Sequence, residues 1–104
     1  DSGVAYMIRL AIAAILLAAP VQAEVSKAES CLYQAQVVAA IQKARLDRVK
    51  ERDVPAAIAK TSPTWPESYN AAIPLIAPWV YEKKMRVVRN NDLSEAWNEV
   101  CLAN

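Results

Sequence analysis

Proline and aromatic residues are concentrated in one stretch, residues 63–81 (PTWPESYNAAIPLIAPWVY), and this concentration restricts how the chain can fold. The stretch holds four of the six prolines, two of the three tryptophans and two of the four tyrosines. Proline removes a backbone donor and interrupts helices, while large aromatic side chains dominate the burial available to a small core. We therefore expect the other helices to pack around this segment.

The first 23 residues have the pattern of a secretory signal peptide. Arg9 supplies a positive charge, residues 10–19 are apolar, and Val21 and Ala23 place small residues before a cleavage site. A membrane-spanning helix needs about 20 apolar residues, so we expect cleavage, export to the periplasm and a mature domain of residues 24–104. An uncleaved anchor in the inner membrane, facing the periplasm, is the alternative. Whether residues 1–6, which precede Met7, belong to the natural chain is left open.

The two cysteines, Cys31 and Cys101, are predicted to form one disulfide, because exported proteins keep paired cysteines oxidised. Such a bond would restrict the unfolded chain by about 4 kcal/mol. That is a large contribution for a domain of this size, whose core alone supports about 3–5 kcal/mol. A redox-active pair is the alternative, but the sequence has neither a C-x-x-C motif nor a histidine to stabilise a thiolate.

Helical periodicity, with no alternation of apolar and polar residues, predicts an all-α fold of four to five helices closed by the disulfide. The first helix is expected over residues 26–52, which contain no proline or glycine. A second helix is expected over residues 54–60, with Asp53 as its N-cap and Pro55 in its first turn.

The proline-rich stretch is expected to form a broken third helix. Thr64 and Glu67 have the spacing of a capping box and predict its start. Pro74 and Pro78 would each remove a hydrogen bond from a continuous helix. We therefore predict a break near Ala72, followed by a second piece that begins near Pro74 or Pro78 and continues to about residue 88. One kinked helix over residues 65–88 is the alternative.

The last helix is predicted over residues 93–102. Asp92 is its expected N-cap, followed three positions later by Glu95 as in a capping box. Trp97 lies one turn before Cys101, so its indole is expected close to the disulfide.

The side chains on which most enzymes depend are scarce. The chain has no histidine, and its only glycine, Gly3, lies in the predicted leader, so the sequence offers neither the commonest general base nor a glycine-rich phosphate loop. The remaining candidates for a catalytic pair are carboxylates on helix caps or exposed faces: Glu67, Glu82, Asp92, Glu95 and Glu99. We expect no enzymatic activity, no cofactor and no metal site.

Charge is nearly balanced, with 12 basic and 11 acidic side chains. Together with the export signal, this balance argues against a nucleic-acid partner. A local cluster of cations could contact acidic lipid headgroups or an acidic partner, although a solvated helix face is the simpler interpretation. The cluster comprises Lys83, Lys84, Arg86 and Arg89.

Two groups of residues are candidate binding sites. Trp65 and Tyr69, if exposed beside their flanking prolines, would form an apolar patch for a partner, with the cationic cluster steering the encounter. An apolar pocket between helices is the second candidate, and its expected lining is Leu75, Ile76, Trp79 and Met85. For the aromatic residues, the simpler interpretation is burial in the core.

Residues 31–34 (CLYQ), 42–47 (QKARLD), 63–69 (PTWPESY) and 96–101 (AWNEVC) resemble small exported helical proteins of marine alphaproteobacteria. The resemblance covers most of the predicted mature domain. It implies a periplasmic helical domain with one disulfide. It implies no activity, so no catalytic residue follows from it.

These patterns support three functional hypotheses. The first is a non-enzymatic periplasmic domain that binds another envelope protein. The second is a carrier of a small apolar ligand. The third is a membrane-anchored accessory subunit, which requires the leader to be retained. The oligomeric state stays open.

Overall fold

The computed structural model describes residues 25–104, which form five α-helices, two 3₁₀ helices and no β-strand. The predicted all-α fold is therefore confirmed for these residues, whereas the predicted leader lies outside them. Within residues 25–104, no helix is long and apolar enough to cross a membrane. The α-helices are α1 (Lys27–Leu46), α2 (Val54–Ala59), α3 (Ile73–Tyr81), α4 (Met85–Asn90) and α5 (Leu93–Ala103), and the 3₁₀ helices are Glu51–Asp53 and Glu67–Ala72.

Helix α1 begins with a side-chain cap and ends earlier than predicted. The Ser26 hydroxyl oxygen accepts a hydrogen bond from the Glu29 backbone N–H at 3.1 Å. At the other end, the Val49 N–H donates to the Ala44 carbonyl at 3.0 Å, and Arg48 has a positive φ of 63°. This is a Schellman motif, which normally uses glycine at the left-handed position. The prediction that the helix continues to residue 52 was wrong. The sequence did not indicate the earlier end, because arginine and not glycine occupies the left-handed position.

Helix α1 is the axis on which the other elements pack. Helix α5 lies antiparallel to it, since Cys31 is bonded to Cys101 at one end and Gln42 contacts Leu93 at the other. Helix α3 follows the direction of α1 on another side. The buried core draws on every α-helix and comprises Val37, Val38, Ile41, Ala44, Val54, Ile58, Trp65, Ile73, Ile76, Ala77, Val80, Val88 and Leu93.

The proline-rich stretch begins and breaks at other positions than predicted. The capping box at Thr64 does not form, because a helix starting there would place Trp65 in a helical conformation directly before Pro66, which proline disfavours. Instead, Pro66 precedes the 3₁₀ helix, with no side-chain cap. No break occurs at the predicted position near Ala72, because the 3₁₀ helix passes directly into α3 at Ile73 with both residues in helical conformation.

The break lies instead between α3 and α4, where one continuous piece was predicted. Helix α3 ends at Tyr81, and α4 begins at Met85. In the interruption, the Lys83 carbonyl accepts a hydrogen bond from Arg45 Nη2 at 3.2 Å. A long-range side-chain donor thus replaces the backbone donor that a continuous helix would supply.

The remaining two helix starts differ in how they are capped. Helix α2 begins at Val54 as predicted, with Pro55 in its first turn, but Asp53 makes no side-chain cap hydrogen bond. At α5, Asp92 is the predicted cap, and its carboxylate accepts from the Glu95 N–H at 3.1 Å. The Ser94 hydroxyl donates to the same carboxylate, and this bond, followed by that from Glu95, lowers the pKa of Asp92.

The predicted disulfide is present and joins the first turns of α1 to the last turn of α5. Its Cα atoms lie 5.7 Å apart, and Cys31 is fully buried. The Trp97 indole N–H donates to Gln34 Oε1 at 3.1 Å, and that oxygen lies 3.9 Å from Cys101 Sγ. Gln34 therefore occupies the space between the indole and the bonded sulfur.

Candidate interaction surface

Trp65 and Tyr69 anchor the segment that carries them and do not form the predicted exposed patch. Trp65 is 9% exposed, and its indole N–H donates to Asn70 Oδ1 at 2.8 Å. Tyr69 is half-buried, and its hydroxyl donates to Ser30 Oγ at 3.1 Å, while its ring lies 5.2 Å from that of Tyr33. The simpler interpretation of these aromatic residues, burial in the core, is the one that the structure shows.

The four residues of the predicted apolar pocket differ widely in their exposure to solvent. Leu75 is 79% exposed, whereas its neighbour Ile76 is 4% exposed. Trp79 and Met85 are half-buried. Consecutive residues on a helix point in directions about 100° apart, and α3 is apolar on all sides, so its sequence did not distinguish the inward from the outward residues.

The outward side of α3, together with Ala71 of the preceding 3₁₀ helix, is an apolar surface. We call it the α3 face (Ala71, Pro74, Leu75 and Pro78). All four residues are exposed. A surface helix normally carries polar residues on its solvent side, but α3 has the sequence IPLIAPWVY, with no charged residue. Exposed apolar surface of this kind is typical of interaction sites.

A groove runs beside the α3 face, between α2 and α3. It has a volume of 360 Å³, and its lining includes Pro55, Pro74 and Ala77. Glu51 and Arg52 form its charged edge. The apolar surface is thus bordered by groups that could orient a bound segment by hydrogen bonds or charge.

A second groove, between α1 and α2, is lined by small apolar side chains. It has a volume of 270 Å³ and is open to solvent. The ion pair between Lys43 and Asp47, at 2.9 Å, lies on its edge. The apolar lining consists of Ala40, Ala44, Val49, Ala57 and Ile58.

Three of the four predicted cluster cations, Lys84, Arg86 and Arg89, are exposed as expected. Lys83 was expected to point outward, and that prediction was wrong. Its ammonium lies 4.1 Å from the centroid of the Trp79 ring, and its side chain is only 21% exposed. Cation–π attraction and burial of the aliphatic stem account for this placement.

Arg45 joins this region to the end of α1, a contact that the sequence analysis did not foresee. Its guanidinium lies 5.3 Å from the centroid of the Tyr81 ring. The Tyr81 hydroxyl donates to the Val49 carbonyl at 2.7 Å. Burial raises the pKa of Tyr81 above its usual value of 10.0, against the opposing effect of the Arg45 charge. Arg45 is one of several charged residues near the end of α1, and nothing in the sequence indicated that it would contact Tyr81 and the Lys83 carbonyl.

Of the carboxylates considered for catalysis, Asp92, Glu95 and Glu99 line one open groove beside α5. Glu67, Glu82, Glu95 and Glu99 are exposed, and Asp92 is the cap of α5. Among the residues that the structure describes, no group of three or more potential ligands is arranged to hold a metal ion.

Comparison with protein-family models, with curated proteins and with solved structures finds no match for this chain. The α3 face, the adjoining groove and the exposed cations are therefore interpreted from their own chemistry.

Proposed function

We propose that this chain is a non-enzymatic, periplasmic protein-interaction domain that binds another envelope protein through the α3 face. The observation that carries the proposal is Leu75, which is 79% exposed at the centre of a helix side without polar residues. The proposed contact thus moves from Trp65 and Tyr69 to a neighbouring part of the same proline-rich stretch.

The surroundings of Leu75 suit a binding role. The opposite side of α3 is held in the core by Ile76 and Val80, so the face is presented on a fixed support. Binding energy in protein interfaces is concentrated in a few apolar anchors surrounded by a polar rim. Leu75 supplies the anchor, and Glu51 and Arg52 of the adjoining groove supply the rim.

Two observations support the periplasmic location and the lack of activity. Disulfides of structural type are typical of oxidising compartments, and both cysteines of this chain are used in one. The chain has no histidine and no free thiol, so the most versatile catalytic side chains are not available.

Photocrosslinking in the native host tests the proposal. A photoreactive amino acid at position 75 is expected to yield one defined adduct with an envelope protein, whose identity mass spectrometry would establish. The matched control is the same probe at Val100, which is 63% exposed on α5. Expression of unlabelled wild-type protein should compete for the adduct, while Leu75→Asp protein should not. Identical adducts from positions 75 and 100 would refute the proposal.

The α1–α2 groove supports a second candidate function, the carriage of a small apolar ligand. Its volume lies near the lower limit for ligand pockets, about 300 Å³. Native mass spectrometry of protein from its host would show a retained ligand, and Ala57→Phe would release it. Bare protein in repeated preparations would exclude this function. Carbonate extraction of membranes from the host tests the third hypothesis, an anchored accessory subunit. An anchored subunit would stay with the membranes, whereas an interaction domain or a carrier would be released.

A further inference from the structure

The cationic side chains of this protein are unevenly distributed. Of the 12 lysines and arginines, all but Arg9 lie in the described residues, and nine of those eleven fall in two segments, residues 43–52 and 83–89. In the sequence these segments are about thirty residues apart. Each segment by itself is a short run of mixed charge, which is typical of a solvated helix face.

The fold brings these two segments together. Arg45 Nη2 donates to the Lys83 carbonyl at 3.2 Å, and the Tyr81 hydroxyl donates to the Val49 carbonyl at 2.7 Å. The turn that follows α1 is therefore held against the turn between α3 and α4. We call residues 43–53 and 82–89 together the basic end.

The basic end carries a net charge of +5, from nine cations and the carboxylates of Asp47, Glu51, Asp53 and Glu82. The other side chains of residues 25–104 have a net charge of −3. A nearly neutral chain is therefore strongly polarised once it is folded.

Most of these cations are available to bind an anion. In the described part of the chain, the salt bridges join Lys43 to Asp47 and Lys83 to Glu82. Six other cations of the basic end are exposed and outside these pairs: Arg48, Lys50, Arg52, Lys84, Arg86 and Arg89. Leu46, in the last turn of α1, is 39% exposed among them.

We infer that the basic end binds an anionic phospholipid surface. Lysine and arginine side chains near a membrane are attracted by phosphate headgroups, and an apolar side chain can enter the interface beside them. The six cations are spread over the turn after α1, the 3₁₀ helix Glu51–Asp53, the α3–α4 turn and α4. Such a dispersed arrangement suits a lattice of mobile headgroups better than a single acidic side chain in a fixed position. This inference does not depend on the partner proposed for the α3 face.

Vesicle co-sedimentation with protein isolated from its host tests the inference. Vesicles of phosphatidylcholine with about 30% phosphatidylglycerol should bind the protein, whereas pure phosphatidylcholine should bind it at least about tenfold more weakly. Raising the salt concentration from about 0.05 M to about 0.5 M should largely remove the difference by screening. Equal binding to both kinds of vesicle would overturn the inference.

Two double variants distinguish binding by the basic end from an effect of the protein's net charge. Arg86→Gln with Arg89→Gln should lower the partition coefficient about tenfold. Lys27→Gln with Lys60→Gln removes the same charge from outside the basic end and should change the partition coefficient less than about twofold. All four residues are exposed, and circular dichroism would confirm that each variant is folded. Equal losses of vesicle binding in the two double variants would overturn the inference. An absence of vesicle binding by the wild-type protein would also overturn it and would favour an acidic protein as the ligand of the basic end.

Discussion

Arg48 adopts a backbone conformation that glycine would occupy more easily. Its φ of 63° lies in the left-handed region, where a side chain costs about 1–2 kcal/mol because Cβ approaches the carbonyl oxygen. The position follows α1 and allows the Val49 N–H to reach the Ala44 carbonyl. Nothing in the residue type itself indicates this role.

Replacing Arg48 by glycine should therefore stabilise the protein. Arg48→Gly is expected to raise the free energy of unfolding by about 1 kcal/mol, measured by urea denaturation. Arg48→Ala is the control, because it removes the same charge but retains the Cβ atom. A similar gain in both variants would show that charge, and not backbone strain, is responsible.

Gln42 connects α1 to the turn between α4 and α5. Its side-chain amide donates to the carbonyls of Val88 and Asn91, at 2.6 and 2.8 Å, and its oxygen accepts from the Leu93 N–H at 3.3 Å. The α4–α5 turn thus obtains from one side chain three hydrogen bonds that it does not make internally.

Loss of this side chain should be costly. Gln42→Ala is expected to lower the free energy of unfolding by about 2–3 kcal/mol, since each net hydrogen bond contributes about 1 kcal/mol and the backbone groups are left unpaired. Gln36 lies on the same helix and is also half-buried, so Gln36→Ala is the matched control. Thermal denaturation of the two variants would give the comparison, and equal losses would contradict the role assigned to Gln42.

At the level of the elements, α3 tolerates a proline where a helix would normally exclude it. Pro78 lies inside α3 and cannot donate to the carbonyl of Pro74, one turn earlier. Both prolines belong to the α3 face. An interior proline that lowers stability but shapes an exposed surface is consistent with a binding role for that surface.

Pro78→Ala should raise the free energy of unfolding by about 2 kcal/mol, because it restores a helical donor. Pro55→Ala is the control, since Pro55 lies in the first turn of α2, where no donor is needed. It should change stability by no more than about 0.5–1 kcal/mol. If Pro78→Ala leaves the free energy of unfolding unchanged, the missing hydrogen bond inside α3 does not limit the stability of the protein.

The start of α5 should make stability dependent on acidic pH. Hydrogen bonds from Ser94 and Glu95 lower the pKa of Asp92 below its usual 3.8 in the folded protein. The stability that this carboxylate contributes is therefore present above pH 3.8 and lost as the pH falls through the lowered value. Asp92→Asn retains the cap acceptor but does not titrate. Unfolding measured between neutral and strongly acidic pH should decline less steeply for the variant, and parallel curves would contradict the assignment.

For the whole molecule, the disulfide closes the chain around its proline-rich segment. Cys31 and Cys101 are separated by 70 residues, so the bond encloses most of the described chain. Replacing both cysteines by alanine should lower the free energy of unfolding by about 4 kcal/mol. The wild-type protein under reducing conditions should lose a similar amount, while the double variant should not respond to the reductant. If the double variant were as stable as the wild-type protein, the packing of α5 on α1 would be enough to hold the two helices together without the disulfide.

Charge separation is also a property of the whole molecule. The cations near Arg45 and those near Lys83 belong to different parts of the chain, and a tertiary hydrogen bond unites them. The surface potential of the folded protein therefore could not be obtained from its nearly neutral composition.

Local chemistry alone was enough to predict much of this protein. Helical periodicity indicated the all-α class, two cysteines behind a predicted leader indicated the disulfide, and Asp92 indicated the start of α5. Each of these predictions depends on residues that are close in sequence, or on a pairing without competitors.

Other features were decided only by the tertiary structure. The break between α3 and α4 depends on the distant donor Arg45. The end of α1 at Leu46 and the burial of Lys83 against Trp79 involve residues close in sequence, but no residue type there indicated them. The outward direction of Leu75 could not be predicted because every side of α3 is apolar. Only packing against α1 determines which side becomes the core and which becomes the surface proposed to bind a partner.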